Sequence, residues 1–243
     1  MKIALIGYGR MGRMIEDVAK DRGHEIVCRI DLDNREDFDS AHFRSADVAI
    51  EFSIPTCAVD NILHSFAAGV PVVSGTTGWL DSLPEIKAMC EKGEGTLFYA
   101  SNYSIGVNIF MSINRKLAAI MNRFPSYTPS LLEVHHVHKL DHPSGTAITL
   151  AEDLIGEVSR IREWEETEKD TPAEEGVLGI AHERRGEVPG IHTITWESEA
   201  DCISITHSAK SRRGFALGAV MAAEWLKGRS GFFTMKDMLP ELY

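Results

Sequence analysis

Lys2-Ile3-Ala4-Leu5-Ile6-Gly7-Tyr8-Gly9-Arg10-Met11-Gly12 is the stretch on which the fold turns. The run Lys2–Ile6 reads as a short buried strand. Met11, Met14, Ile15, Val18 and Ala19 then recur at helical spacing, and Gly23 is placed to end that helix. Between them lies G-x-G-x-x-G at Gly7, Gly9 and Gly12. In this pattern one glycine allows the tight turn, one lets backbone approach a pyrophosphate, and one permits close helix–strand packing. Free N–H groups and the dipole at the helix N-terminus favour the anion. Asp31 closes the predicted second strand, nineteen residues past Gly12, where an acid would accept hydrogen bonds from an adenine ribose. A strand-ending Asp is also an ordinary turn residue. Strand, helix and acid together predict dinucleotide binding.

The alternation continues outward. Glu25–Ile30 and Asp47–Phe52 read as strands, and a helix follows Pro55 with Val59, Ile62, Leu63 and Phe66 on one face. Val70–Ser74, a helix carrying Leu83, Ile86 and Met89, and the strand Thr96–Ala100 come next. Apolar strands separated by amphipathic helices predict a Rossmann-like parallel sheet covered on both faces. The loops Gly75-Thr76-Thr77-Gly78 and Ala100-Ser101-Asn102-Tyr103 follow strands, at carboxyl ends where open α/β sheets bind ligands. Their hydroxyls and N–H groups suit a nicotinamide ribose and carboxamide, although each could be an ordinary loop.

The pattern changes after about Tyr103. A long helix through Val107, Phe110, Leu117 and Ile120 is followed by a strand at Leu131–His138 and a helix with Ile148, Ala151, Leu154 and Ile155. The charged stretch 162–175 reads as a solvated loop or frayed end. Val177–Glu183, Ile191–Glu197 and Cys202–His207 read as strands with short links, predicting an open mixed sheet in a second α+β domain. Phe215–Leu226 is expected to return to the first domain. The expected division is therefore 1–103, completed by 213–243, and 104–212.

The net charge of −11 excludes nucleic acid and anionic membranes as favoured partners. No apolar run is long enough to cross a bilayer, and Met1 leads directly into a strand, so a cytoplasmic location is expected. Cys28, Cys57, Cys90 and Cys202 form no CxxC pair and suit reduced thiols.

The chemistry concentrates in Glu133-Val134-His135-His136-Val137-His138-Lys139-Leu140-Asp141-His142-Pro143-Ser144-Gly145-Thr146-Ala147. Pro143 to Thr146 offer hydroxyls and backbone N–H groups at a helix start, a ready carboxylate site with the cation Lys139 beside it. Histidine exchanges protons near neutral pH, and lysine can donate one to a developing anion. His136 and His138 would share a strand face without a third ligand there, so no metal is expected. Solvent-facing histidines on an edge strand are the plainer alternative.

This run resembles the signature E-x-H-H-x-x-K-x-D-x-P-S-G-T-A of the dihydrodipicolinate reductase family. G-R-M-G at Gly9–Gly12, G-T-T-G at Gly75–Gly78 and A-S-N-Y-S-I-G-V-N from Ala100 to Asn108 also agree in order. So do Gly190–Thr193, the segment Ile205–His207 with Arg212 and Phe215, and the tail Phe233–Leu239, which extends the likeness over nearly the whole chain. The resemblance implies pyridine-nucleotide reduction of a cyclic imine dicarboxylate to tetrahydrodipicolinate, a step of lysine and diaminopimelate synthesis. It implies His135 as catalytic acid/base and Lys139 as proton donor. His136, Lys139, Gly145 and Thr146 would bind substrate, with Gly145 and Thr146 gripping a carboxylate. Gly7, Tyr8, Gly9, Arg10, Met11, Gly12, Asp31, Gly75, Thr76, Thr77, Ala100, Ser101, Asn102 and Tyr103 would contact NADH or NADPH. It further implies a homotetramer assembled through the sheet of the second domain. Hydride transfer in a dry cleft calls for closure, with hinges expected near Tyr103–Ser104 and Arg212–Gly214.

The chain also departs from the family pattern. Its glycine loop is one residue shorter than the common form, His142 stands where alanine is usual, and 162–175 matches nothing in the pattern. Asp31 opposes a 2′-phosphate, and Leu32 follows where an arginine could have accepted one, while Arg10, Arg13 or Arg35 could still serve; NADH or dual use is expected. An imino-acid or amino-acid dehydrogenase of related build, or a non-catalytic dinucleotide sensor, should lack the His-His-x-x-Lys and Pro-Ser-Gly-Thr combination.

Overall fold

Strands that are apolar on both faces must be covered on both faces, and the first sheet is built that way. The computed structural model describes residues 1–243. β1 (Lys2–Ile6), β2 (Glu25–Ile30), β3 (Val48–Glu51), β4 (Val72–Ser74), β5 (Leu97–Tyr99) and the two-residue β11 (Phe232–Phe233) pair in the order β11-β5-β4-β3-β1-β2. Every pairing is parallel. Ile3 and Leu5 pack on one face with α1 (Arg10–Asp21) and α7 (Arg213–Leu226), while Ala4 and Ile6 join Phe38 and Phe43 on the other. Side chains of this size contribute about 1.5–3 kcal/mol each when withdrawn from water. The short α2 (Ala41–Arg44), α3 (Pro55–Ala67) and α4 (Leu83–Glu91) complete the cover.

The small residues of α7 have a packing reason. A Cβ at Gly218 would stand 1.7 Å from the Tyr103 carbonyl oxygen, so only glycine allows this approach. After α7 come β11 and α8 (Met235–Met238), the latter closed by a capping box between Thr234 and Asp237. The sequence reading missed both, because two- and four-residue elements leave no periodic signal.

The chain divides into two compact units, Met1–Ile105 with Arg213–Tyr243, and Gly106–Arg212. The second contains most of α5 (Ile105–Met121), then β6 (Thr128–His135), α6 (Gly145–Glu157), β7 (Glu163–Thr167), β8 (Val177–Arg184), β9 (Ile191–Glu197) and β10 (Cys202–Ser208). Its sheet order is β10-β9-β6-β8-β7. β6 runs parallel to β8 and antiparallel to β9, so the sheet is mixed. Leu131, Leu178, Ile180, Ile194 and Trp196 face a core shared with Leu150, Ala151 and Leu154 of α6.

Two expectations are corrected. The strand expected at Leu131–His138 is Thr128–His135. Pro129 is tolerated because its pairing is with β9 alone, and the β8 ladder begins at Ser130. Beyond His135 the chain turns, with the Val137 N–H donating to the Gly186 carbonyl, so His136 and His138 do not share a strand face. The stretch 162–175 is not all loop. Glu163–Thr167 is an edge strand parallel to β8, and an edge accepts exposed charge that also blunts unwanted pairing. No helix is long and apolar enough to cross a membrane.

Candidate active site

In the first unit the fold itself holds two of the three fingerprint glycines, Gly7 and Gly12, to glycine. Gly7 has φ +86°, and a Cβ there would lie 2.2 Å from the Phe52 carbonyl oxygen. A Cβ on Gly12 would lie 2.2 Å from the Gly7 carbonyl oxygen. At Gly9 a Cβ would meet nothing within 4 Å. Gly9 instead borders a cleft of about 350 Å³ at the start of α1, lined also by Arg10, Met11, Ser53, Gly75 and Thr77. An anion in this cleft would meet the first N–H groups of α1. The open side of Gly9 and the helix end therefore fit a dinucleotide pyrophosphate.

The loop is braced from beneath. The Tyr8 hydroxyl donates to Glu16 at 2.6 Å, and Arg29 holds the same carboxylate with two hydrogen bonds, at 2.8 and 2.5 Å. These bonds, Arg29 first, keep Glu16 far below the ordinary carboxylate range despite its burial. The Tyr8 amide donates to Asp31 Oδ2 at 3.2 Å, which ties the acid at the end of β2 to the glycine loop. A smaller depression lined by Asp31, Leu32, Arg35 and Asn61 adjoins it, and Leu32 is exposed.

Glu51, at the carboxyl end of β3 and fully buried, organises the next two loops. It accepts from the Ser53 hydroxyl, from Ser74 at 2.7 Å and from Thr76 at 2.9 Å. The Thr76 hydroxyl is thus engaged inward. Gly75 packs on the Phe52 ring, where a Cβ would come within 2.2 Å. Tyr103 is also turned inward, 2% exposed, with its hydroxyl donating to the Ser74 carbonyl at 2.7 Å. Ala100 is buried, Ser101 is exposed, and Asn102 accepts from the Ser104 amide through its side-chain oxygen. Neither Glu51 nor Glu16 was singled out from the sequence. An acid ending an apolar strand was the available signal for the first.

In the second unit, β6 delivers Glu133 and His135 to one face at its carboxyl end, since alternate strand residues point the same way. Glu133 is fully buried. Its Oε2 accepts from the Ser144 amide at 3.1 Å and lies 3.3 Å from His135 Nδ1 and 3.8 Å from His192 Nε2. Arg184 stands 3.5 Å from Oε1. Burial opposes the charge, but His135 and Ser144 outweigh it and hold the carboxyl down at about 2. His192 is pushed the other way: burial, then repulsion from His135, lowers it to about 4 and keeps it neutral. A Cβ at Gly190 would approach His135 Nε2 to 3.1 Å, so the glycine, at φ +153°, leaves room for this ring.

Lys139 follows on a turn. Its ammonium is 2.6 Å from Asp141 Oδ2, which lowers the Asp141 carboxyl below its ordinary range. Arg184 fixes this turn by donating to the carbonyls of Lys139 at 3.1 Å and Asp141 at 2.8 Å. Ser144 caps α6, accepting from the Ala147 amide at 3.2 Å, and its hydroxyl lies 3.1 Å from His192 Nε2. That hydroxyl is therefore engaged within the fold. Gly145 and Thr146 open the helix, with N–H groups that have no acceptor within it, and a Cβ at Gly145 would meet nothing within 4 Å. The arrangement offers a lysine cation, helix N–H groups and a carboxylate-backed histidine on consecutive elements. Chemically it can hold an anion and move a proton. Arg184 gives no signal in the sequence, and His192 is visible there only within the Gly190–Thr193 likeness, because β8 and β9 bring them to Glu133 only on folding.

The family models for the dihydrodipicolinate reductase N-terminus and C-terminus match residues 1–103 and 106–239. The chain belongs to the dihydrodipicolinate reductase family. A 4-hydroxy-tetrahydrodipicolinate reductase of Christiangramia forsetii is 49% identical over 100% of this chain and 99% of the relative. One of Akkermansia muciniphila is 36% identical over 95% and 94% of the two chains. A dipicolinate-bound dihydrodipicolinate reductase from Paenisporosarcina sp. TG-14 superposes with a TM-score of 0.78 over 96% and 97%; at 19% identity this likeness speaks for the fold. The expected α/β class, with a Rossmann-like parallel sheet and a second mixed sheet, is found. As a dihydrodipicolinate reductase the chain is an oxidoreductase that uses a nicotinamide dinucleotide.

Proposed function

We propose that this chain reduces 4-hydroxy-tetrahydrodipicolinate to tetrahydrodipicolinate with a hydride from NADH or NADPH and one proton, the 4-hydroxyl leaving as water, and so supplies the lysine and diaminopimelate branch from the cytoplasm. The observation that carries the reading is the pairing of His135 with the buried Glu133 beside the turn of Lys139 and the N-terminus of α6. A cyclic dicarboxylate needs a cradle for at least one carboxylate and a proton donor next to it, and these elements supply both.

In this reading Gly145 and Thr146 grip a carboxylate through their amides, while His136 and Lys139 contact the ring substituents. Lys139 donates the proton and His135 acts as acid/base, its orientation set by Glu133. The bound dinucleotide supplies the hydride. Gly7, Gly9 and Gly12, with Tyr8, Arg10 and Met11, would hold its pyrophosphate, and Asp31 its adenine ribose. Gly75, Thr76, Thr77 and Ala100 to Tyr103 would lie along the nicotinamide half, Thr76 and Tyr103 through backbone, since their hydroxyls are engaged elsewhere. Asp31 and the exposed Leu32 favour NADH or dual use. Residues 1–103 with 213–243 would be the dinucleotide domain and 104–212 the substrate and assembly domain. Assembly as a homotetramer through this sheet is supported by the exposed β10 edge, where Ile203 is 40% exposed.

The test follows NADH and NADPH oxidation at 340 nm, with substrate generated in place by a condensing synthase from pyruvate and aspartate semialdehyde. Consumption that requires both synthase and this protein is expected. None with either cofactor, despite measurable nucleotide binding, would transfer the chain to an amino-acid dehydrogenase or sensor role.

A further inference from the structure

Two departures from the family signature, His142 and the charged stretch 162–175, meet in the second unit. Glu166 of β7 pairs with Ile180 of β8, and His182 lies two residues further on, so Glu166 and His182 share one face of the sheet. The loop after β6 carries His142 to the same place. His142 Nδ1 is 2.9 Å from Glu166 Oε2, and His182 Nδ1 is 3.8 Å from that oxygen. The two imidazoles stack with centroids 4.3 Å apart. One donor atom from each of the three residues falls within 4.8 Å of the other two. His182 Nδ1 is shielded from solvent and has no hydrogen-bond partner.

We propose that His142, Glu166 and His182 form a binding site for one divalent transition-metal ion of the zinc class. Two imidazole nitrogens and a carboxylate oxygen are a donor set that such ions accept, whereas magnesium and calcium demand oxygen cages. Ligands at about 2.0–2.2 Å around a tetrahedral ion stand roughly 3.3–3.6 Å apart. The 2.9 and 3.8 Å separations bracket that value. The stacked rings must tilt for their lone pairs to converge. The side chains of His142 and Glu166 are 48% and 35% exposed, so they can move without disturbing the core. Three protein donors leave a position for water.

A plain surface ion pair accounts for His142 and Glu166 but leaves the His182 nitrogen unexplained. The other carboxylate–imidazole trio, Glu133, His135 and His192, is engaged with Ser144 and Arg184 in the candidate active site. Near the histidine run the sequence itself offers no third ligand. That ligand comes from β7, 24 residues beyond His142. An ion here ties the turn between Lys139 and Ser144 to β7 and β8.

The full chain is titrated with Zn²⁺ against a chromophoric chelator, and with Co²⁺ followed by its visible absorption. One ion per chain at micromolar affinity or tighter is expected, with the intense bands of a low-coordinate cobalt site. The His142 side chain is exposed, so His142→Ala should keep the fold, and it and Glu166→Gln should each weaken binding at least about tenfold. Zn²⁺ should also slow amide exchange across residues 139–145 in the parent chain and not in His142→Ala. No ion held at micromolar concentration, or undiminished binding by a His142→Ala/His182→Ala chain with an unchanged circular-dichroism spectrum, overturns the site.

Discussion

Glu133 and His135 sit two residues apart on β6, on one face, with the carboxylate Oε2 3.3 Å from the imidazole Nδ1. The carboxylate stays ionised down to about pH 2, so His135 faces a fixed negative charge throughout the working range. Glu133→Gln keeps the shape and removes the charge. It should lower kcat by about 10–100-fold, the lower range of general acid–base effects, with little change in KM. The acid limb of the pH–rate profile should move. Steady-state kinetics from pH 5 to 9 check this, and an unmoved profile would leave Glu133 a packing residue only.

His192 makes the molecule acid-sensitive. Its folded value of about 4 lies below the ordinary 6.5, so its contribution is complete above pH 6.5 and is lost as pH falls through 4. Glu133, held at about 2 from an ordinary 4.5, loses its contribution later, as pH falls from 4.5 through 2. His192→Gln should therefore flatten the decline in melting temperature between pH 6.5 and 4 without flattening it below. Melting curves of both chains across that range are the measurement.

Arg184 holds the Lys139 turn by two backbone carbonyls. Arg184→Met should leave the chain folded but loosen the turn, raising KM for the dicarboxylate about tenfold or more. Equal KM values in the variant and the parent chain would show that the turn holds itself.

The glycine loop separates fold from ligand. Gly12→Ala drives a Cβ against the Gly7 carbonyl oxygen and should destabilise by about 1–3 kcal/mol, as overpacking does. Gly9→Ala meets no protein atom, so its melting temperature should stay near that of the parent chain while dinucleotide affinity falls. Thermal melts and NADH fluorescence titrations distinguish the two.

Leu32 is exposed beside Asp31. Leu32→Arg offers a cation to a 2′-phosphate and should raise the NADPH to NADH ratio of kcat/KM about tenfold, worth about 1.4 kcal/mol. An unchanged ratio would place the adenine ribose away from this corner.

Much of this was legible from sequence because it is local. G-x-G-x-x-G between a strand and a helix specifies its own turn, since only glycine tolerates the Gly7 φ and the approach of Gly12 to Gly7. The Pro-Ser-Gly-Thr start of α6 is likewise a local capping event. The apolar runs of β1 to β4 announced a sheet buried on both faces, and His135, Lys139 and Gly145 came from one contiguous signature. What only the tertiary structure decided is which distant groups meet there. Arg184 reaches the Lys139 turn from β8, His192 faces Glu133 from β9, and Glu166 and His182 meet His142 through the register of β7 on β8. The inward turn of Tyr103 and Thr76 was decided the same way, by the buried Ser74 carbonyl and Glu51 carboxylate that needed donors. Local sequence sets backbone conformation and periodicity, whereas charge neutralisation and hydrogen-bond satisfaction are settled between residues that only folding brings together.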